Sequence, residues 1–219
     1  MRLTFYILSF LIANLNAVAQ RPFAEGKIEY SIAIDPPANQ EGVVQYKGSY
    51  VIITKGQLVK ETLELENGYT TTLLYNYKDS TVYSLKKLGS KNFAIQLDMK
   101  TLQNRRRKYE GYTIKDLKGT KEIAGTTVNE MIVTYKNGNT STIAYSKDWT
   151  PGQIVFDNYP GIGFLLFSFT NYNDDGTAIH FVAKSISAEP MENAIFRIPS
   201  GYKIISNAEY QQLTGAGNK

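Results

Sequence analysis

The chain has 219 residues, a net charge of +4, 42% hydrophobic residues and no cysteine. The missing cysteines exclude disulfides, thiol catalysis and thiolate-held metal, and the single histidine leaves the usual zinc ligand sets unfilled. About 200 residues bury a sizeable core without cross-links, and 16 tyrosines with ten phenylalanines favour strands.

Arg2 precedes an apolar run over 3–15, and Ala17-Val18-Ala19 places small residues at −3 and −1 of a cleavage site. This is the grammar of a secretory signal peptide over residues 1–19, with Gln20 as the first mature residue. The run is short for a membrane span. Gln20 and Arg21 stand where a lipidated cysteine would be, so the chain is expected to be exported to the periplasm or outer envelope and not to be a lipoprotein. Residues 20–219 then form one domain.

Period-two alternation opens the mature chain. Ile28, Tyr30, Ile32 and Ile34 share one strand face, and Asp35-Pro36-Pro37 ends that strand. Segment 43–54 reads as a second strand, with Gly48 as a bulge position. Segments 58–65 and 69–77 follow, joined at Asn67-Gly68, a type I′ hairpin signal. Extended pieces over 81–85 and 92–97 come next. Segment 98–110 changes character: Asp98 caps, Met99 and Leu102 pack, and Gly111 stops a short basic helix. Strands resume over 112–117 and 128–136, turn at Asn137-Gly138, and return over 140–146. Segment 149–163 is loop-like. Segments 162–172 and 177–186 form a hairpin across Asn173-Asp174-Asp175-Gly176, and 196–205 is extended. Ser206 and Glu209 form a capping box for a short C-terminal helix ended by Gly215.

Successive hairpins imply a mainly β fold: a single curved antiparallel sheet (half-barrel) of roughly eight to ten strands with one or two short helices, since long twisted sheets curl. Segment 162–169 is apolar on both faces and is expected to be a central strand, with Phe167 and Phe169 on the interior side.

From Lys121 onward the order of features resembles a group of exported bacterial proteins of unknown function. The carriers of the likeness are Lys121-Glu122-Ile123-Ala124-Gly125, Thr142-Ile143-Ala144-Tyr145-Ser146-Lys147-Asp148-Trp149, Pro160-Gly161-Ile162-Gly163 and the closing Phe196-Arg197-Ile198-Pro199-Ser200-Gly201-Tyr202-Lys203. That group looks like a relative of the lipoprotein-carrier (LolA/LppX-like half-barrel) superfamily. The resemblance implies a curved sheet plugged by helices that holds acyl chains. The chain departs from the group at Ala144, where a bulkier aromatic is common.

The sequence carries no Gly-x-Ser-x-Gly, no phosphate loop and no dinucleotide fingerprint. His180 reads as a structural or exposed strand residue, and Asp174-Asp175 as turn chemistry. No enzyme, cofactor or metal role is therefore expected. Two groups of residues carry the functional reading. Tyr75, Tyr77, Phe164, Phe167 and Phe169 are candidates to line an apolar ligand site. Arg105, Arg106, Arg107 and Lys108 are candidates for anion contact, within a segment over 86–121 that carries +8. The corresponding partners are a lipid or amphiphile and an anionic membrane surface or envelope protein, with no nucleic acid. A carrier for an amphiphile is the leading function. The alternative is an envelope scaffold whose interior is filled by its own side chains.

Overall fold

A computed structural model describes residues 20–37 and 45–215. The expected signal peptide and residues 216–219 of the tail lie outside the described residues.

The elements in chain order are β1 (Arg21–Pro22), β2 (Glu25–Asp35), β3 (Tyr46–Lys55), β4 (Leu58–Leu65), β5 (Thr70–Asn76), β6 (Thr81–Leu88), β7 (Lys91–Leu97) and α1 (Met99–Arg106), which runs into a 3-10 turn, Arg107–Tyr109. Then come β8 (Thr113–Ile123), β9 (Thr126–Thr134), β10 (Thr140–Ser146), β11 (Trp149–Thr150), β12 (Leu165–Tyr172), β13 (Ala178–Ser187), β14 (Tyr202–Ser206) and α2 (Asn207–Thr214). Twelve strands form one open curved sheet in the order β14-β7-β6-β5-β4-β3-β2-β13-β12-β10-β9-β8. Two meanders, β2 to β7 and β8 to β13, are fused by the antiparallel pairing of β2 with β13.

The sheet is larger than expected and not wholly antiparallel. β14 lies parallel to β7, and β1 pairs parallel with β11 in a separate two-stranded ribbon. Parallel pairing needs a crossover, which the segment over 188–201 provides. Its Ile198, with Tyr202, packs on Leu74, Leu85 and Ala94. Leu74 and its neighbour Tyr75 point to opposite faces, so this small cluster covers the outer side of the sheet while Tyr75 belongs to the main core.

All three hairpin signals sit at hairpin tips, but with a different turn. In each, the residue before the loop bonds the residue after it across three residues: Leu65 with Tyr69, Tyr135 with Asn139, Asn173 with Thr177. The third loop residue is Gly68, Gly138 or Gly176, at φ +84°, +86° and +88°. The preceding Asn67, Asn137 and Asp175 do not adopt positive φ, as a type I′ turn requires. These are three-residue loops ending in a left-handed glycine. In each, the Asn or Asp side chain accepts a bond from the backbone N–H two residues on. Gly48 is likewise not a bulge: it pairs in register with Ile32 and Leu65. A Cβ there would lie 2.0 Å from the Glu64 carbonyl oxygen, so close strand approach is what glycine permits.

The inner face is filled by the chain itself. The segment over 151–163 between β11 and β12 folds inward and buries Ile154, Phe156, Tyr159 and Ile162. Its polar groups are satisfied there: the Tyr159 hydroxyl donates to the Thr170 carbonyl at 2.7 Å, and the Tyr135 hydroxyl donates to the Asn158 carbonyl at 3.1 Å. β12 is buried along its first half, as a central strand covered on both sides should be.

Candidate functional site

The chain leaves β7 next to one edge of the sheet and re-enters at β8, the opposite edge. Residues 98–112 must therefore span the open side of the curved sheet, which turns α1 and its 3-10 turn into a strap across the concavity. Asp98 starts the strap by accepting from the backbone N–H groups of Lys100 and Thr101, both at 3.1 Å. Met99, Leu102 and Arg106, three or four residues apart, form one helix stripe. Met99 is buried, Leu102 packs against the main core, and the Arg106 side chain is 13% exposed.

Three bonds staple the strap to the far half of the sheet. Arg106 Nε donates to Asp157 Oδ1 at 2.7 Å, Lys108 pairs with Asp174, and the Tyr109 hydroxyl donates to the Tyr172 carbonyl. Beside the strap lies a cleft of about 550 Å³. Its apolar wall is formed by Leu73, Tyr75 and Leu102, and its rim carries the Arg106–Asp157 and Lys108–Asp174 pairs and Asp175.

Behind this wall is a charged residue not singled out from the sequence. Glu61 on β4 is the cross-strand partner of Leu73. The Tyr75 hydroxyl donates to Glu61 Oε2 at 3.4 Å, and Tyr75 stacks on Tyr77 at 5.8 Å between ring centres. Burial, followed by the nearby Asp157 charge, pushes the Glu61 carboxyl up to about 7. Burial also raises the Tyr50, Tyr75 and Tyr77 hydroxyls, which therefore act as neutral groups. Among the described residues, Glu61 has no ion-pair partner.

The aromatic candidates are divided among three places. Tyr75 lines the cleft and Tyr77 stacks behind it. Phe164 packs on Tyr145 at 4.6 Å in a separate open groove shared with Ile114 and Met131. Phe167 and Phe169 are 1% and 3% exposed within the packed core. There Phe169 stacks on Phe181 at 4.5 Å and meets Phe156 edge-on. The basic candidates are divided too. Arg106 and Lys108 point to the cleft and are paired with aspartates, whereas Arg107 lines another hollow with Asp98 and Ser206. Arg105 lies within α1, and its side chain is outside the described residues.

His180 lies in a row across β12, β13 and β2. Its Nδ1 shares a 2.9 Å hydrogen bond with Thr170 Oγ1, and its Nε2 shares another of 2.9 Å with Asp35 Oδ2. The order of hydroxyl, imidazole and carboxylate matches a catalytic relay, but the row lies on the outer face, opposite the interior Phe169 and Phe181. The Thr170 backbone N–H is taken by the Tyr159 hydroxyl at 3.3 Å and is not free to serve as an oxyanion donor. Asp174 and Asp175 occupy the β12–β13 hairpin tip. Among the described residues, no three His, Asp or Glu side chains are grouped to hold a metal, and no helix is long and apolar enough to cross a membrane.

No protein-family model and no curated protein matches the chain. Solved structures to which it is similar include an uncharacterized conserved protein from Thermus thermophilus, at 5% identity and TM-score 0.48, covering 84% of this chain and 93% of that one. MucB in the Pseudomonas aeruginosa MucA/MucB complex matches at 10% identity and TM-score 0.44, over 84% of this chain and 59% of that one. A LolA superfamily protein, NE2245 from Nitrosomonas europaea, matches at 13% identity and TM-score 0.40, over 82% and 92%.

Proposed function

We propose that this protein is a non-catalytic, exported binding protein of the cell envelope that seats an amphiphile in the cleft beside the α1 strap. The observation that carries the reading is the cleft: about 550 Å³, within the range of small-molecule sites, with an apolar wall and a charged rim. Leu73, Tyr75 and Leu102 contact the apolar part, and Tyr77 supports Tyr75 from behind. Export rests on Arg2, the apolar run and Ala17-Val18-Ala19; sequencing of protein recovered from whole cells should begin at Gln20, and retained Met1 would overturn it.

Binding is tested with N-phenylnaphthylamine, a neutral apolar fluorophore. Saturable enhancement that is lost in a folded Leu73→Asp variant supports the cleft as the site. Absence of saturable binding to the wild type overturns it.

A second reading, an envelope scaffold, is favoured by a separate observation: Ile154, Phe156, Tyr159 and Ile162 fill much of the concavity. In that reading the protein docks a partner or an anionic surface through basic side chains. Arg107 would carry such contact, because Arg106 and Lys108 are already paired with Asp157 and Asp174. Changing Arg107 to Gln should weaken binding to anionic vesicles while leaving neutral vesicles unaffected, the charge contributing about 1 kcal/mol. Equal binding of the variant and the wild type removes the anionic-surface contact.

A further inference from the structure

The strap segment is strongly basic in sequence, yet the cleft beside it is not a basic pocket. Its rim places Asp157, Asp174 and Asp175 against Arg106 and Lys108. Arg106 is taken by Asp157 and Lys108 by Asp174. Asp175 is left over at the mouth, its carboxylate held below the usual range by the Thr177 backbone N–H. Glu61 is left over behind the apolar wall. The cleft thus has one acid without an ion pair on its rim, Asp175, and another behind its wall, Glu61. Three tyrosine rings, Tyr75, Tyr109 and Tyr172, also line it. Ring faces attract cations within about 6 Å; the Tyr109 ring already carries the Lys108 ammonium, 4.8 Å from its centre, which leaves Tyr75 and Tyr172.

We propose that the amphiphile's head group is a cation, an amine or quaternary ammonium held between Tyr75 and Tyr172 in the field of Asp175 and Glu61. The inference rests on the amphiphile reading of the cleft and specifies its ligand class. An anionic head would meet Asp175 and lie in the field of Glu61 behind the wall, and its route to Arg106 or Lys108 would require breaking an existing ion pair. A cation needs no such rearrangement.

Glu61 also makes the preference depend on pH. The groups facing it are Tyr50 from β3, Tyr75 from β5, Tyr77 just beyond the end of β5, Arg106 from α1 and Asp157 from the inward segment. The tyrosines stay neutral and Arg106 stays charged, so Glu61 is the member of this set that titrates near neutrality. A cation bound nearby favours its ionised form, so affinity for a cation should rise as pH increases through about 7.

The test compares three amphiphiles of one chain length on the mature chain, each below its micelle concentration: dodecyltrimethylammonium, dodecyl sulfate and dodecyl maltoside, followed by calorimetry. The ammonium should bind about tenfold tighter than the sulfate, with the maltoside between, and its affinity should climb severalfold from about pH 5.5 to about pH 8. Glu61→Gln should remove most of that pH dependence for the ammonium. Sulfate binding as tightly as the ammonium, or an unaltered pH profile in Glu61→Gln, overturns the cationic head while leaving an amphiphile cleft in place. Binding of none of the three overturns the amphiphile reading itself.

Discussion

Arg106 on α1 and Asp157 on the inward segment share a hydrogen-bonded ion pair of 2.7 Å that ties the strap to the material filling the sheet. The Arg106 side chain is 13% exposed and the Asp157 side chain 62%, so the guanidinium is largely desolvated while its partner meets water. Arg106→Gln should cost about 1–2 kcal/mol, above a surface pair because the aspartate loses a partner held in a largely desolvated place. Arg107→Gln should cost no more than about 0.5 kcal/mol. Urea melts of both variants, with hydrogen exchange across α1, check this; α1 should open more readily only in Arg106→Gln.

The carboxyl of Glu61 gives a stability profile opposite to that of most acids. Its folded value of about 7 lies above its ordinary 4.5, so between these the folded state binds more protons than the unfolded one. Stability should therefore fall as pH rises through this window and level off above it. The loss should be on the order of 1–3 kcal/mol, reduced from the full shift because the site is not wholly dry. Glu61→Gln, which keeps the shape without the charge, should flatten that slope and be the more stable protein at about pH 8. A slope of unchanged size in the variant would assign it to other groups.

Phe169 stacks on Phe181 and meets Phe156 and Tyr30 edge-on. Phe169→Ala should cost about 3–5 kcal/mol, the cost of an aromatic removed from a packed core. Phe164 sits in an open groove against Tyr145, and Phe164→Ala should cost about 1–2 kcal/mol. Equal losses in denaturant melts would mean that the two rings share one environment.

Gly48 and Gly138 separate two reasons for glycine. At Gly48 an added Cβ meets the Glu64 carbonyl oxygen at 2.0 Å, so Gly48→Ala must part β3 from β4 and should cost on the order of 2–4 kcal/mol. At Gly138 nothing lies within 4 Å, but φ is +86°; Gly138→Ala should cost about 1 kcal/mol of backbone strain. Thermal melts reporting the reverse order would refute the steric account of Gly48.

Glu61 shows how far the site was legible. Segment 58–65 reads as a strand, and alternation places Glu61 on the same face as Val59, Leu63 and Leu65. A charge among apolar residues on one strand face marks a special position, and this signal stood in the sequence unused. Asp157 carried no comparable mark: it sits in a loop rich in Pro and Gly, where an aspartate is ordinary. The basic run was legible as charge but not as an electrostatic site, because the aspartates that pair with it are 51 and 66 residues away.

The local elements follow from residues close together in the chain. Alternation set the strand faces, Asp98 and the Ser206–Glu209 box set the helix starts, and the three Asn/Asp-Gly pairs set the hairpin tips, since each depends on residues within a few positions of one another. The remaining features arise from long-range packing. The pairing of β2 with β13 fused two meanders and sent residues 98–112 across the concavity. The inward fold of 151–163 turned Phe167 and Phe169 into packed core and brought Asp157 to Arg106. These outcomes rest on contacts between residues tens to hundreds of positions apart, where burial and charge pairing are settled by the folded chain as a whole.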